Sequence, residues 1–280
     1  MSRPPEPRQR GNTFGFSAWR GYSRVMSAPH AHNDIEINYC SGPIVYASAG
    51  KESTLPADTP CAFWGAKPHQ LVQIDDGAQL AFVTVPLGTF MSWGIPATIK
   101  GGLLQGTVLV GPTGWEPGVL AAMFERWSVD LGTGETSASR PVELEVEALL
   151  YRMSRGHWAE AASPADRSSR DLDRAGRMAT FMAEQADRDI RVDDVASTVH
   201  LQPNRAASIF HAVFGVSVKQ YLGQLRVAEA QRLLLTTELS SSAVAAKAGF
   251  QSLSSYHETF TRTCGMSPMR WRLLHRDQGH

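Results

Sequence analysis

The stretch Val244–Arg272, VAAKAGFQSLSSYHETFTRTCGMSPMRWR, decides how the C-terminal part of this chain folds. Val244, Ala245 and Ala248 fall at helical spacing before the Gly249-Phe250 pair, which reads as a turn. Ser252 is then placed to cap a second helix, on which Tyr256 and Phe260 share a face and which Gly265 closes. The pattern occurs twice. Val195, Ala196, Val199 and Leu201 match Val244, Ala245, Ala248 and Phe250 at an offset of 49, and Phe210, Gly215, Ser217 and Tyr221 match Phe260, Gly265, Ser267 and Trp271 at an offset of 50. A slip of one residue inside a turn is what two copies of a helix-turn-helix unit tolerate, so the units are predicted at about 192–214 and 241–263. Between them VKQYLGQLRVAEAQRLLL predicts one long helix with Tyr221, Leu222, Leu225, Ala228 and Leu233 as its buried stripe. At 1.5 Å per residue it would be about 27 Å long, against about 34 Å between successive major grooves, so some bending of a bound duplex is expected.

The outward face of each second helix carries the groups that read bases. In the first unit Gln202 or Asn204 can begin the helix, and Ala206, Ile209, Phe210 and Val213 face inward. That leaves Asn204, Arg205, Ala207, Ser208 and His211 for the groove. Asn pairs bidentately with adenine and Arg with guanine. In the second unit Ser252, Leu253, Ser254, Ser255, His257 and Glu258 face out, with Leu253 suited to a thymine methyl and Glu258 to cytosine N4. About half of these positions are expected to meet only backbone or water. Lys219, Lys247, Thr261 and Arg262 are phosphate-contact candidates, while Arg226, three residues before Glu229, reads as a structural ion pair.

The whole chain of 280 residues balances 27 Lys and Arg against 27 Asp and Glu. The balance is a cancellation. Residues 1–163 carry 12 basic and 15 acidic groups, residues 164–280 carry 15 and 12, and 200–280 carry 9 and 4. The basic excess therefore lies on the repeat, where a polyanion would bind. With 42% apolar and 19% charged residues the chain can build ordinary cores, and it has no apolar run long enough to span a bilayer and no secretory signal, so a cytoplasmic protein is expected. Cys40, Cys61 and Cys264 are scattered without a CxxC pair and read as small buried hydrophobes.

The N-terminal half reads differently. After a polar leader at 1–13, residues from about Phe14 to Val110 show short apolar runs between Gly and Pro turns, the pattern of closely spaced strands. Helical spacing follows over 118–130 and 142–153, with a turn-rich loop, GTGETSASRP, between. The predicted fold class is a two-domain α+β chain: residues 14–155 sheet-rich with following helices, a linker over 156–170, and an all-helical 171–280. In PHAHNDIEIN, residues 29–38, a strand would put His30, His32, Asp34, Glu36 and Asn38 on one face and Ala31, Ile35, Ile37 and the following Tyr39 on the other, with His69 a further candidate from a neighbouring strand. Three readings stay open: a polar face that binds nothing; a divalent metal (Zn, Ni, Mn or Fe) on His30, His32, Glu36 and His69; or a small polar effector bound by His30, His32, Glu36, Asn38 and His69 with Trp64 or Trp93 as an apolar wall.

Two resemblances bear on these readings. Gly249, Phe250, Tyr256, Phe260, Gly265, Ser267, Pro268, Trp271 and Arg272 resemble the signature of the arabinose-operon-regulator (AraC/XylS) family of bacterial transcription factors, over about a hundred residues from Ile190 onward; Trp271 stands where the family usually has Tyr. HxHxxxE with a distant His is similar to the cupin pattern of a small metal-holding β-barrel, which is also the usual sensory domain of that family. HAHNDIEIN, AFWGAKPHQL and VPLGTFMSW, in that order, resemble the melibiose-operon regulators within it, with Ala31, Asn33 and Gly65 as departures. The resemblance implies no catalysis and a cupin-like effector half. It implies an activator that binds double-stranded operator DNA, a sugar effector of the α-galactoside kind, an RNA polymerase partner and a homodimer. Met123, Trp127, Val146, Leu150 and Met153 would either form the dimer contact or cover the barrel. A sensor of metal or another non-sugar ligand, and a cupin-type metalloenzyme, are the alternatives.

Overall fold

The computed structural model describes residues 15–48, 51–116, 118–132, 136–154 and 169–276; the expected leader and most of the expected linker lie outside them. The N-terminal half is arranged around β2 (Asp34–Cys40), a strand buried along its whole length. It pairs antiparallel with β5 (Cys61–Trp64) and β7 (Gln79–Pro86). With β1 (Ser17–Tyr22) and β8 (Leu109–Val110) these make a five-stranded sheet in the order β1-β7-β2-β5-β8. A second sheet has the order β4-β3-β6, from β3 (Ile44–Ser48), β4 (Lys51–Leu55) and β6 (His69–Ile74). The described strands thus form two facing sheets, with no closed barrel among them. Cys40, Tyr46, Phe63, Leu71 and Phe82 fill the space between the sheets, whereas Ile35, Ile37 and Tyr39 pack outward against helices. Cover on both sides is why β2 carries polar residues on one face and still exposes nothing.

Two short helices, α1 (Leu87–Ser92) and α2 (Ala97–Leu104), interrupt the stretch expected to be all strand. Each starts directly after a proline, Pro86 or Pro96, whose fixed φ suits a helix entry. They span too few residues for helical periodicity to stand out against strand alternation. α3 (Val119–Gly132) and α4 (Thr136–Ser154) lie over the outer face. Phe124 stacks on Tyr39, and the Trp127 indole N–H donates to Glu145 Oε2 at 2.6 Å. Trp127, Val146, Leu150 and Met153 are fully buried within one chain and Met123 partly so, so these residues cover the sheet. α4 begins six residues before Val142 and contains Pro141, replacing much of the expected loop with helix.

The C-terminal half consists of α5 (Ser169–Glu184), α6 (Val192–Ser197), α7 (Pro203–Phe214), α8 (Val218–Thr236), α9 (Ser241–Lys247), α10 (Leu253–Cys264) and α11 (Pro268–Arg276). Both α7 and α10 end on a left-handed glycine, Gly215 or Gly265, each with φ 72°. α8 is opened by Ser217 and Gln220 as a reciprocal cap. Its burial is wider than one stripe: Val227, Ala230, Gln231 and Leu234 are buried too, whereas Ala228 is only half-buried. The helix has neighbours on several sides, because it packs on both units and on the N-terminal half. Cys40, Cys61 and Cys264 are free and buried, and burial pushes all three thiols up. Among the described residues no helix is long and apolar enough to cross a membrane.

Candidate functional site

In the first unit Gln202 caps α7 and Pro203 occupies its first turn. Ala206, Ile209, Phe210 and Val213 are buried; Asn204, Arg205, Ser208 and His211 are exposed and Ala207 half-exposed. In the second unit Ser252 Oγ accepts from the Ser255 amide at 3.1 Å, and Tyr256 and Phe260 are buried. Leu253, 46% exposed, stands in water with Ser254, Ser255 and Glu258; His257 is half-buried, 3.4 Å from Ser241 Oγ. Lys219, Lys247 and Thr261 are exposed as well. Arg262 leans on Glu258 at 3.3 Å and Arg205 on Asp171 at 3.8 Å. Both are surface pairs of small worth, easily exchanged for phosphate.

Arg226 does not pair with Glu229. Its Nε and Nη2 donate to the carbonyls of Ala186 and Arg188 at 2.9 and 2.8 Å, closing the turn after α5, and Glu229 pairs instead with Arg232. Arg272 does the corresponding work on the second unit, donating to Leu234 O and Leu239 O at 3.1 and 2.8 Å.

The polar face of the N-terminal half is assembled between the sheets. His30, His32, Glu36 and His69 each bring one ligand-type atom, all within 4.8 Å of one another. His32, Glu36 and His69 are buried and His30 is half-buried. His32 Nε2 lies 2.8 Å from Glu36 Oε2 and its Nδ1 3.3 Å from Asp34 Oδ2. Asn38 Nδ2 donates to Glu36 Oε1 at 2.9 Å, and Tyr46 donates to Asn38 Oδ1 at 3.3 Å. Burial alone would lower the His32 imidazolium, but Asp34 and Glu36 outweigh it and raise it to about 9. Burial would likewise raise the Glu36 carboxyl, and His32 and His69 hold it well below the usual range. The His32 ring fits because residue 65 is glycine: a Cβ there would stand 2.3 Å from His32 Cε1. That glycine is a functional position that alternation alone does not single out, whereas the supporting Asp34 lies on the face that alternation gave.

Trp64 and Trp93 form no wall for this cluster. Trp64 is the register partner of Ile35, on the opposite face of the sheet from Glu36, and packs on Phe214 and Tyr221 of the C-terminal half. Trp93 packs on Phe90 in the helical layer. A cleft of about 1000 Å³ does open beside the cluster, between the two halves. His32, Asn33 and Asp34 line one side of it, and Glu184, Glu229, Arg232 and Lys247 the other.

The segment Pro29–Asn33 joins the cluster to the C-terminal half. Trp271 Nε1 donates to Pro29 O at 3.3 Å, the Ala31 amide donates to Gln231 Oε1 at 3.2 Å, and the Tyr221 hydroxyl donates to Asn33 Oδ1 at 2.8 Å. Nothing in the sequence pattern pointed to Gln231, a buried polar residue on an otherwise apolar helix face, except that polarity itself.

The family model described as "Helix-turn-helix domain" matches residues 195–273. The melibiose operon regulatory protein of Escherichia coli strain K12 is 26% identical over 262 residues, covering 89% of this chain and 85% of that protein. The transcriptional activator RhaR of Enterobacter sp. strain 638 is 29% identical over 138 residues, 49% of this chain and 48% of its own length. Among solved structures, ToxT from Vibrio cholerae O395, bound to a naphthalenyl butenoic acid, superposes with a TM-score of 0.60 at 13% identity, covering 94% of this chain and 99% of that one.

Proposed function

The chain belongs to the arabinose-operon-regulator family, a transcription regulator and not an enzyme, and from that premise we propose that it is a sequence-specific activator of a sugar-utilisation operon in the bacterial cytoplasm. The observation that carries the DNA-binding part is the pair of second helices, α7 and α10, each closed by a left-handed glycine, Gly215 or Gly265, and each presenting a largely exposed row of base-reading and phosphate-binding groups. The groove residues are Asn204, Arg205, Ala207, Ser208 and His211 on the first helix and Ser252, Leu253, Ser254, Ser255, His257 and Glu258 on the second. Lys219 and Arg262 serve the phosphates. The test is a salt titration of binding to the DNA upstream of the chain's own gene. Sequence-specific binding with a steep fall of affinity in salt is expected, and affinity blind to both sequence and salt sinks the reading.

The effector we assign is a carbohydrate, seated in the cleft between the halves. Its rim of Asn33, Asp34, Glu184, Glu229 and Arg232 supplies the planar polar groups that pair with vicinal hydroxyls, and Lys247 adds an ammonium donor; a relative covered over 85% of its length is named for the melibiose operon. The N-terminal half acts as a cupin-like sensor, with RNA polymerase and a second copy as the further partners. Val129 and Leu144, exposed on the outer sides of α3 and α4, are the surface for that second copy. A ligand that binds only one arrangement of the two halves shifts the chain toward it. Melibiose, galactose and raffinose, tested by thermal shift on the full chain, check the effector: a dose-dependent rise in Tm with one of them supports it. No shift with any sugar, together with intact operator binding, overturns the effector while leaving the DNA reading standing.

A further inference from the structure

Along Pro29–Asn33 the odd and even residues face opposite ways. Pro29, Ala31 and Asn33 are bonded to Trp271, Gln231 and Tyr221 of the C-terminal half, whereas His30 and His32 enter the cluster with Glu36 and His69. Tyr221 and Trp271 are the same position of the two helix-turn-helix copies, one repeat apart, and Gln231 lies between them on the helix that joins the copies. The segment is therefore a strap laid across both units. It is anchored at one matched point of each and, between them, at Gln231 in the C-terminal half of the spacer.

The donor set of the cluster calls for a cation. His69 Nδ1 lies 3.0 Å from the carbonyl of Lys67. A carbonyl only accepts, so Nδ1 donates and Nε2 is turned toward the Glu36 carboxylate. Nε2 is buried, stands 3.6 Å from Glu36 Oε2, and has no hydrogen-bond partner among the described residues. The nitrogen and the carboxylate oxygen thus face each other in a dry interior without a hydrogen bond, an arrangement that a cation between them, a metal ion or a proton, makes favourable. The supports around the other groups are those of ligands rather than of a lone ion pair: His32 Nδ1 against Asp34, and Glu36 Oε1 held by Asn38. An ion with bonds of about 2.0–2.2 Å needs opposed ligand atoms no more than about 4.4 Å apart. The observed limit of 4.8 Å is met by a contraction of a few tenths of an ångström. Half-buried His30 leaves a way in.

We propose that His30, His32, Glu36 and His69 bind one divalent first-row transition ion, and that the ion fixes the strap and through it the placement of both helix-turn-helix units. Three imidazoles with one carboxylate suit Zn, Ni, Mn or Fe and disfavour Ca and Mg. The binding of the ion stands on the cluster alone; its effect on the DNA-reading units rests on the function proposed above.

The experiment uses the full chain, stripped with chelator and titrated with Zn²⁺, Ni²⁺ and Mn²⁺ by calorimetry, followed by hydrogen exchange with and without the tightest ion. One ion per chain is expected, with His69→Ala and Glu36→Gln each lowering its affinity by about 100-fold while circular dichroism stays native. Exchange at the Ala31 amide and along α8 should slow about tenfold or more on loading. In Tyr221→Phe the ion should still bind but protect α8 less. No stoichiometric binding of any of the three ions, or binding unchanged in both cluster variants, overturns the site. Binding without added protection of α8 overturns the strap. Because exchange is read without DNA, loss of operator recognition would count against the proposed function and leave both of these results interpretable.

Discussion

The two helix-turn-helix units share one pattern but differ in what they are built into. The core of the first is continuous with the N-terminal half: Phe210 and Phe214 stack on each other, and Phe214 packs on Trp64 of the sheet. The second has a core of its own, in which Tyr256, Phe260 and Trp271 pack with Val227, Leu233 and Val244. One reader is thus fused to the sensor, and the other is carried at the end of a helix of 19 residues. Among the described residues the second reader is tied to the rest through α8, the strap, the loop at Ala186 beneath Gly249 and a hydrogen bond from Ser27 to the Leu274 carbonyl.

The sharpest way to test this contrast is to empty matched positions in the two cores. Phe210→Ala and Phe260→Ala each remove a fully buried ring and should each cost about 3–5 kcal/mol. Phe260→Ala should expose α9 to α11 to hydrogen exchange while the N-terminal half stays protected. Phe210→Ala should spread faster exchange into β5 and α2 as well. Equal and local effects from both variants would show that the first unit is no more fused than the second.

The turns give the next largest difference. Equivalent positions, His200 and Gly249, both adopt left-handed backbone, with φ of 53° and 85°. Only at Gly249 would a Cβ strike backbone, 2.3 Å from the Ala186 carbonyl. Left-handed conformation costs a non-glycine residue about 1–2 kcal/mol, and the clash adds to it. Gly249→Ala should therefore lose about 3 kcal/mol or more in chemical denaturation, whereas exposed His200→Ala should change stability by less than about 1 kcal/mol. The close approach holds the second unit's turn on the loop that Arg226 closes from the other side, so Gly249→Ala should also speed exchange around Ala186.

At the DNA surface the contrast predicts one base at a time. Arg205→Ala on the fused unit and Glu258→Ala on the carried unit should each cost about 1–3 kcal/mol of operator affinity, at base pairs about one helical turn apart. Lys219→Ala should weaken every sequence alike and reduce the salt slope by about one unit. Footprints of the two base-reading variants that change at the same base pairs would break the two-reader geometry.

How much of this was legible in the sequence differs by region for a physical reason. The repeat could be read because a helix-turn-helix unit is specified locally: Ala245 at the crossing, Gly249 in the turn and Gly265 at the cap are each fixed by backbone geometry within a few residues. The face that gathers His30, His32, Glu36 and Asn38 followed from strand alternation, which is also local. What alternation cannot give is the partner of each face. Trp64 could line the cluster or leave it, and the register with Ile35 sends it to the far side. Helices α1 and α2 were hidden by their brevity. The strap depends on contacts about 190 to 240 residues apart in the chain, and no local pattern encodes such a pairing.

The smallest expected effect falls on that strap and separates its two ends. Tyr221→Phe keeps the ring against Trp64 and Phe210 and deletes only the hydroxyl that donates to Asn33. A hydrogen bond of this kind contributes about 0.5–1.5 kcal/mol net, so near neutral pH the variant should be less stable by about 1 kcal/mol. Burial pushes the Tyr221 phenol far above its usual value of 10.0. The unfolded chain releases this proton near pH 10 and the folded chain does not, so the unfolded state binds fewer protons there and the stability that Tyr221 contributes falls as pH rises beyond it. Phe has no proton to release, and the other tyrosines are common to both proteins. The stability difference between wild type and Tyr221→Phe should therefore be flat from about pH 6 to 9 and shrink above about pH 10. A difference that persists undiminished at pH 11 would mean that the hydroxyl is exposed to solvent, and that the fused unit is not held to the strap at Asn33.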